Sequence, residues 1–137
     1  MAKYVLLDGY VLVNAVNLSD HVKSVTITWE AEDMDSTSMG VSGSRTHDAG
    51  LKNWSAELEV FQDHAAGSVD ATFFPLLGAA AFACEFRPTS GAVSVTNPKF
   101  TGNAILLSYS PLAGEVGEYS MTSIPLSGSG VLTRATA

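Results

Sequence analysis

Two segments in the first half of the chain alternate between apolar and polar residues. In VTITWE (25–30) and in NWSAELEVF (53–61), apolar side chains recur at every second position. A period of two is typical of a β-strand with one buried face. The pattern therefore predicts two strands, with Trp29 and Trp54 facing the core. We expect them to form one antiparallel pair, joined by the stretch that lies between them.

The connecting stretch, residues 30–51, is polar, acidic at its start and contains Gly40, Gly43 and Gly50. Such a stretch has little apolar surface to bury. Loops longer than roughly 12–15 residues are uncommon in compact domains unless they are functional or disordered. We therefore expect a long inter-strand loop, an arm over about residues 31–51, that acts outside the core of its own chain.

The N-terminal segment YVLLDGYVLV (4–13) places Asp8 and Gly9 between two apolar runs. The Asp-Gly pair readily adopts the positive φ angles of a two-residue type I′ turn. The pattern predicts a β-hairpin whose turn is Asp8-Gly9.

The period changes at residues 67–80, which indicates one short helix over about residues 68–78. Ser68 is in position to cap its first turn, and an acidic residue, Asp70, favours the positive end of the helix dipole. Pro75 and Gly78 limit its C-terminal end. The apolar residues that recur at helical spacing are Val69, Phe73, Leu76 and Leu77.

The remainder of the chain consists of apolar runs with β periodicity or β composition, separated by turn-rich segments. With 137 residues, the chain suits one domain, which we place over residues 1–137. Seven or eight strands and one helix predict a mainly β fold. We expect a β-sandwich or a small barrel with one short flanking α-helix.

Charge is scarce and unevenly distributed. Charged residues make up 15% of the chain, and the net charge is −7. Residues 30–70 hold nine acidic and two basic residues, which gives −7, while the remainder holds five of each. The acidic excess argues against tight binding of nucleic acid. A surface poor in charge suits a subunit that other subunits cover.

The sequence lacks the motifs of common catalytic, nucleotide-binding and metal sites. A hydrolytic triad of Ser44, His47 and Asp48 would stand on a Gly/Ser-rich loop, which holds catalytic groups poorly. Glu32 to Asp35 suggest a solvated acidic patch rather than a metal site. Cys84 alternates with phenylalanines and is interpreted as a buried thiol. We predict no enzymatic activity, no metal and no cofactor.

Several segments together resemble the small major tail proteins, or tail tube proteins, of long-tailed bacteriophages. The resemblance covers about residues 14–137 and depends on the order and spacing of the segments. These are DHVKSVTITWEAEDMDSTSMG, LKNWSAELEVFQD, VDATFFPLLG, RPTSGAVSVTNPKFTG and LTRAT.

The resemblance implies a β-sandwich or barrel-like tail tube fold that self-assembles into hexameric rings. The rings stack into a hollow tube through which DNA passes without specific binding. The implied partners are further copies of the chain and the tape-measure, tail-tip and tail-terminator proteins, with no membrane. The implied location is the tail of the virion, after synthesis in the cytoplasm of the host bacterium, because the N-terminus does not resemble a signal peptide.

The resemblance also suggests roles for particular residues. The arm would contact neighbouring subunits through the interface candidates Met34, Met39, Gly40, Arg45 and Leu51. Acidic side chains near the lumen would repel DNA. The candidates for these lumen-facing positions are Glu30, Glu32, Glu57 and Glu59.

Three alternatives to this function stay open. The chain could be a β-sandwich binding module, such as a capsid-decoration domain. It could be the inner tube protein of a contractile injection system, which has the same fold. A small hydrolase that uses His47 or His64 is the third alternative.

Overall fold

The computed structural model describes residues 3–40 and 43–137. It contains eight strands and one short α-helix, α1, which is followed by a single turn of 3₁₀-helix. The predicted mainly β class with one short helix is therefore confirmed. The strands are β1 (Tyr10–Val13), β2 (Val16–Asn17), β3 (Val22–Asp35), β4 (His47–Phe61), β5 (Phe82–Arg87), β6 (Lys99–Leu106), β7 (Met121–Gly128) and β8 (Thr133–Ala135). The helix α1 spans Val69–Phe73, and the 3₁₀ turn spans Phe74–Leu76.

The strands form one antiparallel sheet in the order β2-β1-β5-β6-β7-β4-β3. Strand β8 pairs with the first half of β6, where Phe100 lies opposite Arg134, and β7 pairs with the second half, where Leu106 lies opposite Leu126. The predicted antiparallel pair is β3 with β4, in which Trp29 lies opposite Trp54. The edge strands, which the sequence could not identify, are β2 and β3.

One face of the sheet carries the core, because alternate residues of each strand point to the same side. Leu18, which follows β2, is buried in this core, and its N–H donates to the carbonyl of Val11 at 3.0 Å. Val69 and Phe73 of α1 are fully buried and cover one part of the core. The buried strand residues are Val11, Val13, Trp54, Ala56, Leu58, Val60, Phe82, Cys84, Phe86, Ala104, Leu106, Ile124 and Leu126.

The predicted hairpin at Asp8-Gly9 is wrong. The hairpin turn is Asn14-Ala15, where φ is 48° and 66° and Val13 pairs with Val16. This turn lets β1 keep its apolar side chains in the core while it pairs with β5. Residues 4–7 form no strand, and their apolar side chains are exposed because no core surface is available to them.

The helix is shorter than the predicted residues 68–78, and the Ser68 side chain does not cap its N-terminus. The Ser68 hydroxyl makes no capping bond and donates instead to Oδ2 of Asp63 at 2.8 Å. The backbone carbonyl of Asp63 accepts the N–H of Asp70 at 3.0 Å. Pro75 lacks an N–H, so it falls in the 3₁₀ turn rather than inside a longer α-helix. Within the described ranges, we find no helix of the length and apolarity that spanning a membrane requires.

Candidate assembly surfaces

The predicted loop over 31–51 is mostly a β-hairpin arm. Strands β3 and β4 stay paired out to Asp35 opposite His47, so the irregular tip is confined to residues 36–46. Strand β4 pairs with β7 only from Ser55 onward. The outer parts of β3 and β4, residues 30–35 and 47–53, therefore extend beyond the sheet as a two-stranded ribbon. Period-two patterning is weak in this ribbon because neither of its faces is buried, which is why the sequence favoured a loop.

Polar contacts hold the described part of the tip together. The Ser36 N–H donates to the carbonyl of Thr46 at 2.9 Å, and the Thr46 N–H donates to Oγ1 of Thr37 at 2.9 Å. Arg45 Nη1 lies 3.2 Å from Oδ2 of Asp35. Hydrogen bonding to Thr37, through its hydroxyl and then its backbone N–H, lowers the pKa of Asp35. The arm thus has local order without any core of its own.

The five predicted interface residues all lie on this arm, and all are exposed. Met39 and Leu51 are almost free of contacts within the chain. A Cβ atom at Gly50 would lie 3.0 Å from Cγ of Met34 and 3.0 Å from Oε2 of Glu32, so a larger residue here would displace these two flexible side chains. The arm therefore presents apolar side chains that its own chain leaves uncovered, together with Arg45, which is engaged with Asp35.

The four acidic candidates lie on the side of the β3–β4 pair that faces away from the core. Glu57 and Glu59 alternate with buried residues, and Glu30 has the same parity on β3 through its pairing with Asn53. Glu32 lies on the same face of β3 as Glu30, opposite a bulge at Gly50 and Leu51 of β4. Their neighbours on this face are mainly hydroxyl residues, and Ser123 donates to Oε1 of Glu57 at 2.9 Å. The acids form one polar face, as the alternation predicted.

Trp29 was predicted in the core, and this prediction is wrong, since its side chain is 44% exposed. Trp54 takes the core position, above Gly102 and Gly128. Trp29 lies on the edge strand β3, outside this packed layer, with Nζ of Lys52 5.9 Å from the centre of its indole. Alternation alone identified the correct side of the strand but not where the core ends along it.

The loop between β6 and β7, residues 107–120, is a further exposed apolar surface that the sequence pattern does not mark. Leu112, Val116 and Tyr119 are highly exposed there, next to Glu115 and Glu118. The apolar residues are spaced irregularly, so no strand or helix period marks them in the sequence. Their exposure is visible only in the structure.

The titratable groups form structural contacts. His47 Nδ1 lies 2.7 Å from Asp33 Oδ1, so its partner in the described part of the chain is neither Ser44 nor Asp48, the two residues a triad would require. Cys84 is buried as predicted, and desolvation raises its thiol pKa to about 12. Over residues 3–40 and 43–137, there is no group of three or more potential metal ligands.

Comparison with known proteins identifies the fold. No family model matches the chain, and no curated protein matches it. A chain in the virion of a native gene transfer agent particle is 17% identical with a TM-score of 0.72, and the match covers 98% of this chain and 99% of that one. A chain in the tail of an empty gene transfer agent particle, solved with C6 symmetry, is 18% identical with a TM-score of 0.64 over 85% and 83% of the two chains.

A third solved structure extends the likeness to a contractile system. A chain of the sheath–tube complex of the PVC extracellular contractile injection system, in its extended state, is 10% identical with a TM-score of 0.65. That match covers 98% of this chain and 93% of the other. The chain therefore has a fold that is present in a gene transfer agent tail and in a contractile sheath–tube complex.

Proposed function

We propose that this chain is the subunit of a tail tube, in which hexameric rings stack around a hollow channel that conducts DNA. The observation that carries the proposal is the match of 98% of the chain to a virion protein, combined with a second match in a tail of C6 symmetry. A closed ring requires a head-to-tail contact between two different sides of the subunit. The open edges at β2 and β3 offer backbone groups for such contacts.

The arm is proposed to contact neighbouring subunits through Met34, Met39, Gly40, Arg45 and Leu51. Methionine adapts to irregular surfaces, which suits a contact between repeated copies. Because the paired strands of the arm already form a hairpin, assembly mainly has to order its exposed side chains. The arm then stabilises the assembly rather than the isolated subunit.

The polar face with Glu30, Glu32, Glu57 and Glu59 is proposed to face the lumen. Carboxylates there repel phosphate groups, so that DNA passes through the tube without binding it. In this role the chain needs neither a cofactor nor catalytic groups. The proposed partners are further copies of the chain and the tape-measure, tail-tip and tail-terminator proteins of a virion tail.

A second candidate function is the inner tube of a contractile injection system. The match to a chain of the PVC sheath–tube complex favours it. The two candidates differ in whether a second protein surrounds the tube. Electron microscopy of particles from the source cells decides between them, because a contractile system shows an outer layer that shortens on triggering.

The test of the tube is electron microscopy of the purified protein, concentrated and, where needed, seeded with tail-tip complexes. Hollow tubes of uniform width are expected. Dispersed monomers that fail to extend from seeds contradict the proposal and favour the binding module.

The role of the arm is tested by deleting residues 35–46. We expect the variant to keep its fold, measured by circular dichroism, and to lose tube formation. Replacing Thr96, an exposed residue outside the arm, with Ala is the matched control. Tubes of normal stability from the deletion variant would contradict the role of the arm while leaving the tube itself in place.

A further inference from the structure

An apolar groove of about 380 Å³ opens between β3 and β8. Ile27 and Trp29 of β3, Phe100 of β6 and Leu132 beside β8 line it. Apolar surface is stabilised when it is removed from water, so a groove of this composition favours an apolar occupant. The groove continues past Trp29 into a shallower depression that reaches Val131, which is also exposed.

Two cations flank this groove. Arg134 lines it, and Lys52 lies with its Nζ 5.9 Å from the centre of the Trp29 indole. Both residues are exposed, and no carboxylate of residues 3–40 or 43–137 lies within 4.0 Å of either charge. An occupant that carries carboxylates beside apolar side chains would complement both properties of the groove.

The loop between β6 and β7, residues 107–120, has that composition. Leu112 is 83% exposed and Val116 is fully exposed, so neither contributes to the core of its own chain. Glu115 and Glu118 flank Val116 and are exposed as well. A loop that exposes these apolar groups to water is stabilised when a second surface covers them.

Contacts at its base attach this loop to the end of β4. The Gln62 N–H donates to the carbonyl of Ser120 at 2.8 Å, and its side-chain amide donates to the carbonyl of Pro111 at 2.7 Å. The rings of Phe61 and Tyr119 pack edge to face with centroids 5.4 Å apart. Because the loop is anchored at its base, docking it costs less conformational entropy than docking a free segment.

The loop and the groove lie at opposite ends of β6. The groove is at Phe100, near the start of the strand, and the loop begins directly after Leu106. Strands rise about 3.3 Å per residue, which separates Phe100 from the start of the loop by roughly 20 Å along β6. The other exposed apolar segments, residues 4–7 and the arm, extend from the same end as the groove, as the β1–β5, β5–β6 and β3–β4 registers show.

We propose that the loop over residues 107–120 of one copy docks into the Trp29 groove of the next copy along the strand direction. Leu112 and Val116 cover the apolar groove, and Glu115 and Glu118 face Lys52 and Arg134. This contact joins one end of one copy to the opposite end of the next copy. Such a head-to-tail contact can be repeated from copy to copy, which extends a stack. The inference rests on the proposed function only in taking a second copy as the occupant.

A disulfide-trapping experiment tests this contact directly. Val116→Cys and Leu132→Cys variants are prepared separately, mixed and mildly oxidised, and the mixed dimer is measured over time by mass spectrometry. The matched control pairs Val116→Cys with Thr96→Cys, since Thr96 is exposed near the same end as the groove but outside it. The native Cys84 is retained because it is buried.

We expect the Val116–Leu132 dimer to form at least tenfold faster than the control dimer. Reversing the charges of the groove with Lys52→Glu and Arg134→Glu should remove most of this excess, and adding Glu115→Lys and Glu118→Lys to the loop partner should restore it. Equal rates for the two cysteine pairs would overturn the docking proposal.

The same samples separate this proposal from the proposed function. Trapping detects contact between two copies whether or not tubes form, and microscopy of the wild-type protein reports tube formation independently. Tubes without preferential trapping would leave the tail tube function intact and exclude this contact. Preferential trapping without tubes, even after seeding, would support the contact and contradict the tube.

Discussion

Trp54 shows how a single residue constrains the sheet around it. Its indole is buried over Gly128 of β7 and Gly102 of β6, near the point where β7 ends along β6 and β8 takes its place. A Cβ atom at Gly102 would lie 2.7 Å from Cζ2 of the indole, and one at Gly128 would contact its Cδ1 and the backbone carbonyl of Trp54. Both glycines are thus required by packing, although neither has a positive φ.

Replacing Gly128 with Ala should lower the free energy of unfolding by about 1–3 kcal/mol, the usual range for overpacking a well-packed core. Backbone atoms cannot yield as a flexible side chain can, so Trp54 itself must move. Urea denaturation followed by tryptophan fluorescence measures both the loss and the movement. Gly91→Ala is the control, because the nearest atom to its new Cβ is 3.5 Å away. Equal stability of the two variants would show that the indole does not need this glycine.

Asp63 makes stability depend on pH. The Ala65 N–H, the Ser68 hydroxyl and His21, in that order, lower its pKa below 3.8. A lowered pKa in the folded state contributes stability above the unfolded value, near 3.8, and this stability is lost as the pH falls through the folded value. We expect the melting temperature of the wild-type protein to fall more between pH 5 and pH 3 than that of Asp63→Asn.

Asp20→Asn is the comparison for this pH series, since Asp20 is an exposed carboxylate beside His21. Its melting temperature should follow the wild-type curve. If Asp63→Asn also follows the wild-type curve, the contacts to Asp63 do not contribute to stability.

At the scale of elements, the loop between β5 and β6 depends on one buried side chain. The Asn97 amide is 7% exposed and donates to the carbonyls of Gly91 and Ala92, both at 3.1 Å, and its oxygen accepts the N–H of Thr89 at 3.1 Å. This amide replaces the backbone ladder that an irregular loop lacks.

Asn97→Ala should lower the free energy of unfolding by about 1–3 kcal/mol, because buried loop groups lose their partners. Asn97→Asp should lower it further, since its carboxylate would place a buried negative charge against the two carbonyl oxygens. Chemical denaturation measures both effects, and Ser94→Ala, which removes only an exposed hydroxyl contact, is the control. A larger loss for Ala than for Asp would contradict this account.

The elements differ in how well the sequence predicted them. Period-two alternation identified the β3–β4 pair because one face of this pair packs on the core. The same alternation placed Glu30, Glu57 and Glu59 on the opposite face. The alternation did not reveal the strands of the arm, because both faces of the arm are exposed. The turn of the first hairpin was also predicted at the wrong residues. There, Asp-Gly is the stronger local turn signal, but pairing of β1 with β5 sets the turn at Asn14-Ala15. Long-range pairing overrode local preference.

At the scale of the whole molecule, the exposed apolar features lie at two opposite ends of the strands. The arm, the N-terminal segment and the Trp29 groove lie at one end of the strands, and the loop over residues 107–120 lies at the other. The polar face of β3 and β4 points sideways, away from the core. A subunit built this way has two unlike ends and one side on which acidic and hydroxyl residues predominate. The sequence could not reveal this arrangement, because it depends on how distant strands are ordered in the sheet.

The charge on the polar face of β3 and β4 determines whether DNA binds to a tube whose lumen this face lines. If Glu57 and Glu59 face the lumen, Glu57→Lys turns a repulsive position on every subunit into an attractive one, and the repeated charge acts on one phosphate backbone. Tubes assembled from this variant should retain double-stranded DNA in a co-sedimentation assay, and retention should fall steeply between 50 and 200 mM salt, as expected when cations displace counterions. Asp20→Lys makes the same change of charge at an exposed turn outside β3 and β4, so its tubes should retain DNA no better than the wild type. Equal retention by the two variants would show that the acidic face does not line the channel.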